Sequence, residues 1–361
     1  MQNKLGVNLP NYCYGLLILL FSACGTATDR NHNETEHIDF LSVEEGQVAI
    51  LDETFEPYFS QLQVREIEAF TQEKCPATNL DEAREHARKK FASAVVDFTT
   101  EEKACMTFVI QKIDEILTEN QKTLMSEAPW KFIKIDSWLC GGFAHTRGEF
   151  IIISQKHIEH LSKGWSENMT LEEEENLVKR FGALLVHEKM HTLQRRHKAI
   201  FDVFYRDHWN FVQAKVQEDE RIIKHQVSNP DAPIAEWLIP NEAATNQYYW
   251  IRTLLKANDG IPVMGRDFMD VVFSVEKDGD NYRVVNDSLG EPKSMAMDDF
   301  NAYKNAYPVH RGLDHPNEIT AYMFSEYFVA LVEQEAPFKE LTDAAANNAQ
   351  TFVEFLDKKF H

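Results

Sequence analysis

The chain has 361 residues, enough to bury a substantial core as one large domain or two small ones. Its 58 acidic and 37 basic residues leave a formal charge of -21, which argues against nucleic-acid backbones and anionic membrane surfaces as partners, since both are held by clustered Lys and Arg. No stretch approaches the roughly 20 consecutive apolar residues of a membrane span.

In chain order, residues 14–23 form a short apolar run, Tyr-Gly-Leu-Leu-Ile-Leu-Leu-Phe-Ser-Ala, followed by Cys24. A run of about ten is the length of a signal-peptide core. Ser22, Ala23 and Cys24 resemble the lipobox of bacterial lipoproteins, with Phe21 where Leu is usual and Lys4 as the one positive charge before it. The expectation is a signal segment over 1–23, a polar tether over 24–40, and a domain over 41–361 that is exported and lipid-anchored to a bacterial membrane through Cys24, facing the periplasm or the cell surface. Beyond Cys13 and Cys24, the cysteines are Cys75, Cys105 and Cys140. Three thiols allow one disulfide whose pairing the sequence leaves open, and none has the C-x-x-C spacing of a thiolate zinc site.

Residues 80–98 read as a helix rich in Ala, Arg and Lys. Thr99 and Glu102 form a capping box that opens another helix, with Met106, Val109, Ile110, Ile113 and Ile116 on its apolar face. Residues 130–138 alternate apolar and polar and predict a strand. A turn-rich loop with His145-Thr-Arg-Gly148 follows, then a buried strand over 149–154. His157 and His160 on the helix after it read as surface residues.

The central motif comes next. Thr170 and Glu173 form a capping box, and Leu177, Phe181, Leu184 and Leu185 recur at helical spacing up to His187-Glu-Lys-Met-His191, an HExxH pattern. On a helix, positions i and i+4 share a face, so His187 and His191 can offer two imidazole nitrogens to one metal ion. Glu188, about 100° further round, can take a proton from water beside it. Lys189 inside the motif departs from the uncharged residues usual there.

A catalytic zinc needs a third protein ligand. His197 stands six residues after His191, but Gln194 replaces the glycine that would break the helix and swing it back. Glu242, in Pro240-Asn-Glu-Ala-Ala-Thr-Asn246, lies between strand-like flanks. Glu318 follows Pro316 in the first turn of a helix whose apolar positions Ile319, Met323, Phe324 and Phe328 repeat helically. Between these candidates, residues 234–288 form a strand-rich insertion with a hairpin turn at Asp278-Gly-Asp-Asn281, its aromatic residues read as sheet packing. The chain closes with an amphipathic helix over 341–360.

Four pieces in order, His145-Thr-Arg-Gly148, the HExxH helix, Ser228-Asn-Pro-Asp-Ala-Pro233 and His315-Pro-Asn-Glu-Ile-Thr-Ala321, resemble a group of bacterial gluzincin-type zinc metallopeptidases over about residues 138–332. The resemblance implies that Glu318 completes the His187/His191 site. That group usually has an acid four residues later, where this chain has Tyr322. The fold it implies is α+β and zincin-like: a small sheet, an HExxH helix and a second, glutamate-bearing helix. In that fold the strand bordering the cleft pairs with extended substrate backbone. The expected activity is zinc-dependent hydrolysis of peptide or protein amide bonds, with Glu188 as general base and acid and with His310, His315 or Tyr322 steadying the oxyanion. The competing expectation is a lipid-anchored zinc-binding or assembly protein without turnover.

Overall fold

The computed structural model describes residues 38–217, 219–256 and 260–358. The expected signal segment, Cys24 and most of the expected tether lie outside the described residues. The last three residues of the expected tether, Ile38–Phe40, are instead a strand (β1).

Four further strands complete the first sheet: Val95–Val96 (β2), Trp130–Ile135 (β3), His145–Arg147 (β4) and Phe150–Ser154 (β5). The order is β1-β3-β5-β4, with β1, β3 and β5 parallel, β4 antiparallel at the edge, and β2 paired to β3. The strand over 150–154 is therefore interior, and β4 holds the edge position. Both faces of the sheet are covered, which explains the nearly unbroken apolar run Ile151-Ile-Ile153. Phe132, Ile151 and Ile153 face one core, shared with the HExxH helix. Ile133, Ile135 and Ile152 face the other, against Tyr58, Phe59, Phe70 and Phe91.

The second sheet contains Val212–Gln213 (β6), Trp237–Pro240 (β7), Gln247–Leu255 (β8), Phe268–Asp278 (β9), Asn281–Val284 (β10) and Ser294–Ala296 (β11). Its order is β10-β9-β8-β7-β6, with β11 also on β9. This is the predicted insertion, widened by one short strand at each end. The hairpin closes with Asn281 opposite Asp278, and Trp250 and Tyr248 pack within the sheet's own cluster. The chain is thus of mixed α+β class. No helix among the described residues is long and apolar enough to cross a membrane. Cys75, Cys105 and Cys140 are free thiols, and burial pushes Cys105 up to about 12.

Candidate metal centre

The HExxH segment belongs to the helix Ala183–Arg196. The capping box opens the preceding helix as expected: Thr170 Oγ1 accepts from the Glu173 N–H and Glu173 Oε2 accepts from the Thr170 N–H. A single π-turn, Val178–Gly182, then joins the two helices. Such an extra residue resets the phase of a helix, and here it does so one turn before His187. Gly182 sits at the crossing with the helix Pro316–Val332, where an added Cβ would lie 2.6 Å from the Phe328 ring. The close crossing brings the two helices into extensive contact and puts Glu318 beside the histidines.

His187, His191 and Glu318 converge. The two imidazole Nε2 atoms are 3.2 Å apart. Glu318 Oε2 lies 3.6 Å from His187 Nε2, and Oε1 lies 3.7 Å from His191 Nε2. A tetrahedral ion with bonds of about 2.0–2.1 Å separates its donors by roughly 3.4 Å, so the spacing fits. The tautomer of His191 fits as well. Gln194 donates its amide N–H groups to the Asn317 carbonyl (2.8 Å) and Thr320 Oγ1 (2.7 Å), which leaves its oxygen to accept from His191 Nδ1 at 2.8 Å. His191 Nε2 therefore carries a lone pair. The His187 ring has a backbone hydrogen-bond partner in Ala321. The two Nε2 atoms and the Glu318 carboxyl point at one spot, a donor set suited to a single cation. The three side chains could hold a metal ion.

Electrostatics agree with that donor set. Burial, then the adjacent His191, push His187 down to about 3, and burial lowers His191. Both rings are thus neutral, the form a metal requires. Burial, then Asp231 and Asp314, drive the Glu318 carboxyl well above the ordinary range. Burial, with Asp231 and Glu318 next, does the same to Glu188. Glu188 Oε2 is buried and has no hydrogen-bond partner among the described residues. A cation at the centre reverses the sign of this local field for both carboxylates.

Around this group, Asn229 Nδ2 donates to Glu318 Oε1 at 2.8 Å. Thr146, in the middle of edge strand β4, gives its outward N–H to Asp231 Oδ1 at 2.6 Å. Arg195, one turn past His191, donates to Thr146 Oγ1, to Glu56 and, at 2.7 Å, to the Pro230 carbonyl. The edge that a substrate strand would extend is therefore already bonded at Thr146. Sequence reasoning singled out residues 228–233 and Gln194 without assigning them these contacts. The turn composition around Pro230 was the available signal.

Of the three oxyanion candidates, Tyr322 alone reaches the centre. Its ring lies 4.4 Å from the His187 ring, and the Arg311 guanidinium lies 4.6 Å from the Tyr322 ring centroid. Gly312, at φ +64°, packs so tightly on Tyr322 and Glu318 that a Cβ there would clash. His315 instead caps its helix, its Nδ1 accepting from the Asn317 N–H at 3.1 Å, and His310 is exposed.

The rival ligands lie elsewhere. His197 ends the HExxH helix with Nε2 3.6 Å from Glu127, as an unbroken helix dictates. Glu242 is exposed on the turn between β7 and β8. Lys189 points away from the centre: its Nζ donates to the Ala128 carbonyl and lies 4.5 Å over the Trp130 ring.

Comparison of the chain with protein-family models, with curated proteins and with solved structures returned no match.

Proposed function

We propose that this chain is an exported zinc-dependent peptidase of gluzincin type. The observation that carries the reading is the convergence of His187, His191 and Glu318 beside the buried carboxyl of Glu188. The antiparallel edge strand β4 beside the HExxH helix supports a zincin-like fold. Zinc, when bound, would supply a Lewis acid that polarises the scissile carbonyl and acidifies water.

The protein's own part follows from the geometry. His187 and His191 offer neutral Nε2 atoms, and Glu318 offers the single anion. Gln194 keeps the His191 proton on Nδ1. Glu188 takes a proton at its carboxylate from the attacking water and returns it to the leaving amine. Tyr322, whose ring lies 4.4 Å from that of His187, would donate its hydroxyl to the developing oxyanion. Burial of all four motif residues, with His187 the most exposed at 8 %, keeps these interactions in a low-dielectric setting. The substrate is a peptide or protein outside the cytoplasm, with the enzyme tethered by a lipid on Cys24.

The test pairs metal content with turnover. The purified protein is expected to carry one zinc per chain and to cleave a mixed peptide library. Glu188→Gln should keep the zinc and lose cleavage, because an amide cannot accept the proton. A zinc-loaded protein that cleaves no peptide would leave the non-catalytic zinc-binding reading in its place.

A further inference from the structure

We propose that Asn229 is a positioning residue for Glu318, held in place by a turn that ties this carboxylate to the HExxH helix and to edge strand β4. The inference rests on the reading of His187, His191 and Glu318 as zinc ligands. Glu318 is the one member of the trio on a separate helix, and three side-chain torsions lie between its backbone and its carboxylate. The histidines share a helix and have their own orienting partners in Gln194 and the Ala321 backbone. For Glu318 that partner is Asn229, whose Nδ2 donates to Oε1 at 2.8 Å.

The amide of Asn229 has a defined orientation. Its Oδ1 accepts from the Asp231 N–H at 2.9 Å, so the NH2 end faces Glu318. The turn is closed by the Ala232 N–H on the Asn229 carbonyl at 3.1 Å, with Pro230 in its second position. Its remaining groups reach the other walls of the site. The Pro230 carbonyl accepts from Arg195 at 2.7 Å, and Asp231 Oδ1 accepts from the Thr146 N–H and hydroxyl at 2.6 and 2.5 Å. One short turn thus spans the third ligand, the helix of the first two, and the sheet edge. The Asn229 bond holds the carboxylate with one oxygen toward each imidazole and stabilises its ionised form.

The test measures zinc affinity of the full chain by competition with a chromogenic chelator, and the visible absorption of the cobalt-substituted protein. Asn229→Ala removes both the turn cap and the bond to Glu318. Asn229→Ser keeps a side-chain oxygen that can cap the turn but is too short to reach Glu318. Both variants should lose about 10- to 100-fold in zinc affinity and shift the cobalt bands, the usual consequence of removing a ligand's orienting partner. Unchanged affinity and spectrum in both would overturn the proposal. So would loss in Asn229→Ala alone, since the turn and not the bond would then be responsible. If Asn229→Ala fails to fold, the Ser variant decides. A wild-type chain that binds no zinc would instead overturn the ligand assignment itself.

Discussion

His187 Nε2 and His191 Nε2 face each other across 3.2 Å, and the hydrogen bond between His191 Nδ1 and the Gln194 oxygen leaves His191 Nε2 without a proton. Both Nε2 atoms also face the Glu318 carboxyl, at 3.6 and 3.7 Å. It is the arrangement two metal ligands adopt.

Loss of either imidazole should therefore abolish tight zinc binding, since two remaining ligands rarely retain zinc. Glu318→Ala should lower affinity by orders of magnitude while the protein still folds in excess zinc. Glu242→Ala, on an exposed turn, should leave zinc bound and shift stability by less than about 0.5 kcal/mol. Elemental analysis of the four purified variants measures this. Retention of zinc in Glu318→Ala with loss in Glu242→Ala would reverse the assignment.

Gln194 occupies the position where a glycine would free His197 as a ligand, and it orients His191 instead. Gln194→Ala should weaken zinc binding about tenfold, whereas Gln194→Glu keeps an acceptor for Nδ1–H and should retain more of it. Chelator competition compares the two. Equal affinities in both variants and wild type would remove Gln194 from the site.

Lys189 makes a prediction about pH. Burial, against the weaker pull of Asp114 and Glu149, pushes its ammonium down to about 7 from 10.5. Between these values the unfolded chain holds more protons than the folded one, so wild-type stability should rise with pH in that window. Below pH 7 the lysine is charged in both states and its full desolvation cost is felt. Lys189→Met has no such group. Its stability advantage over wild type should be greatest below about pH 7 and shrink by a few kcal/mol, order of magnitude, toward about pH 10. Urea midpoints of both proteins across this range test the sign. A difference independent of pH would show that the lysine stays charged throughout.

Gly182→Ala should destabilise by about 1–3 kcal/mol, because the new methyl meets the Phe328 ring at the helix crossing. The same strain should loosen Glu318 against the histidines and lower zinc affinity. Thermal unfolding with and without zinc separates the two effects. Wild-type stability and affinity in this variant would mean that the crossing is slack.

Cys24→Ser should move the protein from the membrane fraction to the soluble fraction if a lipid on that thiol is its anchor. Fractionation of cells expressing each form decides. An unchanged membrane fraction would rule out lipidation as the main attachment.

Much of the centre was legible from local pattern. HExxH spacing puts two histidines on one helical face whatever surrounds them, because 3.6 residues per turn is a property of the backbone alone. The Thr170 and Thr99 capping boxes and the helix opened by Pro316 are equally local, and each forms as the residues dictate. An unbroken helix likewise removes His197 from the site. What lies between distant segments was not legible. Glu318 meets the histidines only because Gly182 lets two helices cross closely, and the π-turn that sets their phase has no pattern of its own. Lys189 reads as an intrusion in the motif until Ala128 and Trp130, some 60 residues earlier in the chain, supply its carbonyl and its ring. Residues 228–233 stand in the sequence only as one piece of a family resemblance, since Glu318, Arg195 and Thr146 reach them from three separate elements. Periodicity and capping act within a few residues, so the sequence by itself determines the helices and the paired histidines. The placing of Glu318 beside the histidines and its bond to Asn229 depend on packing across 131 and 89 residues of chain, and only the tertiary structure decides those.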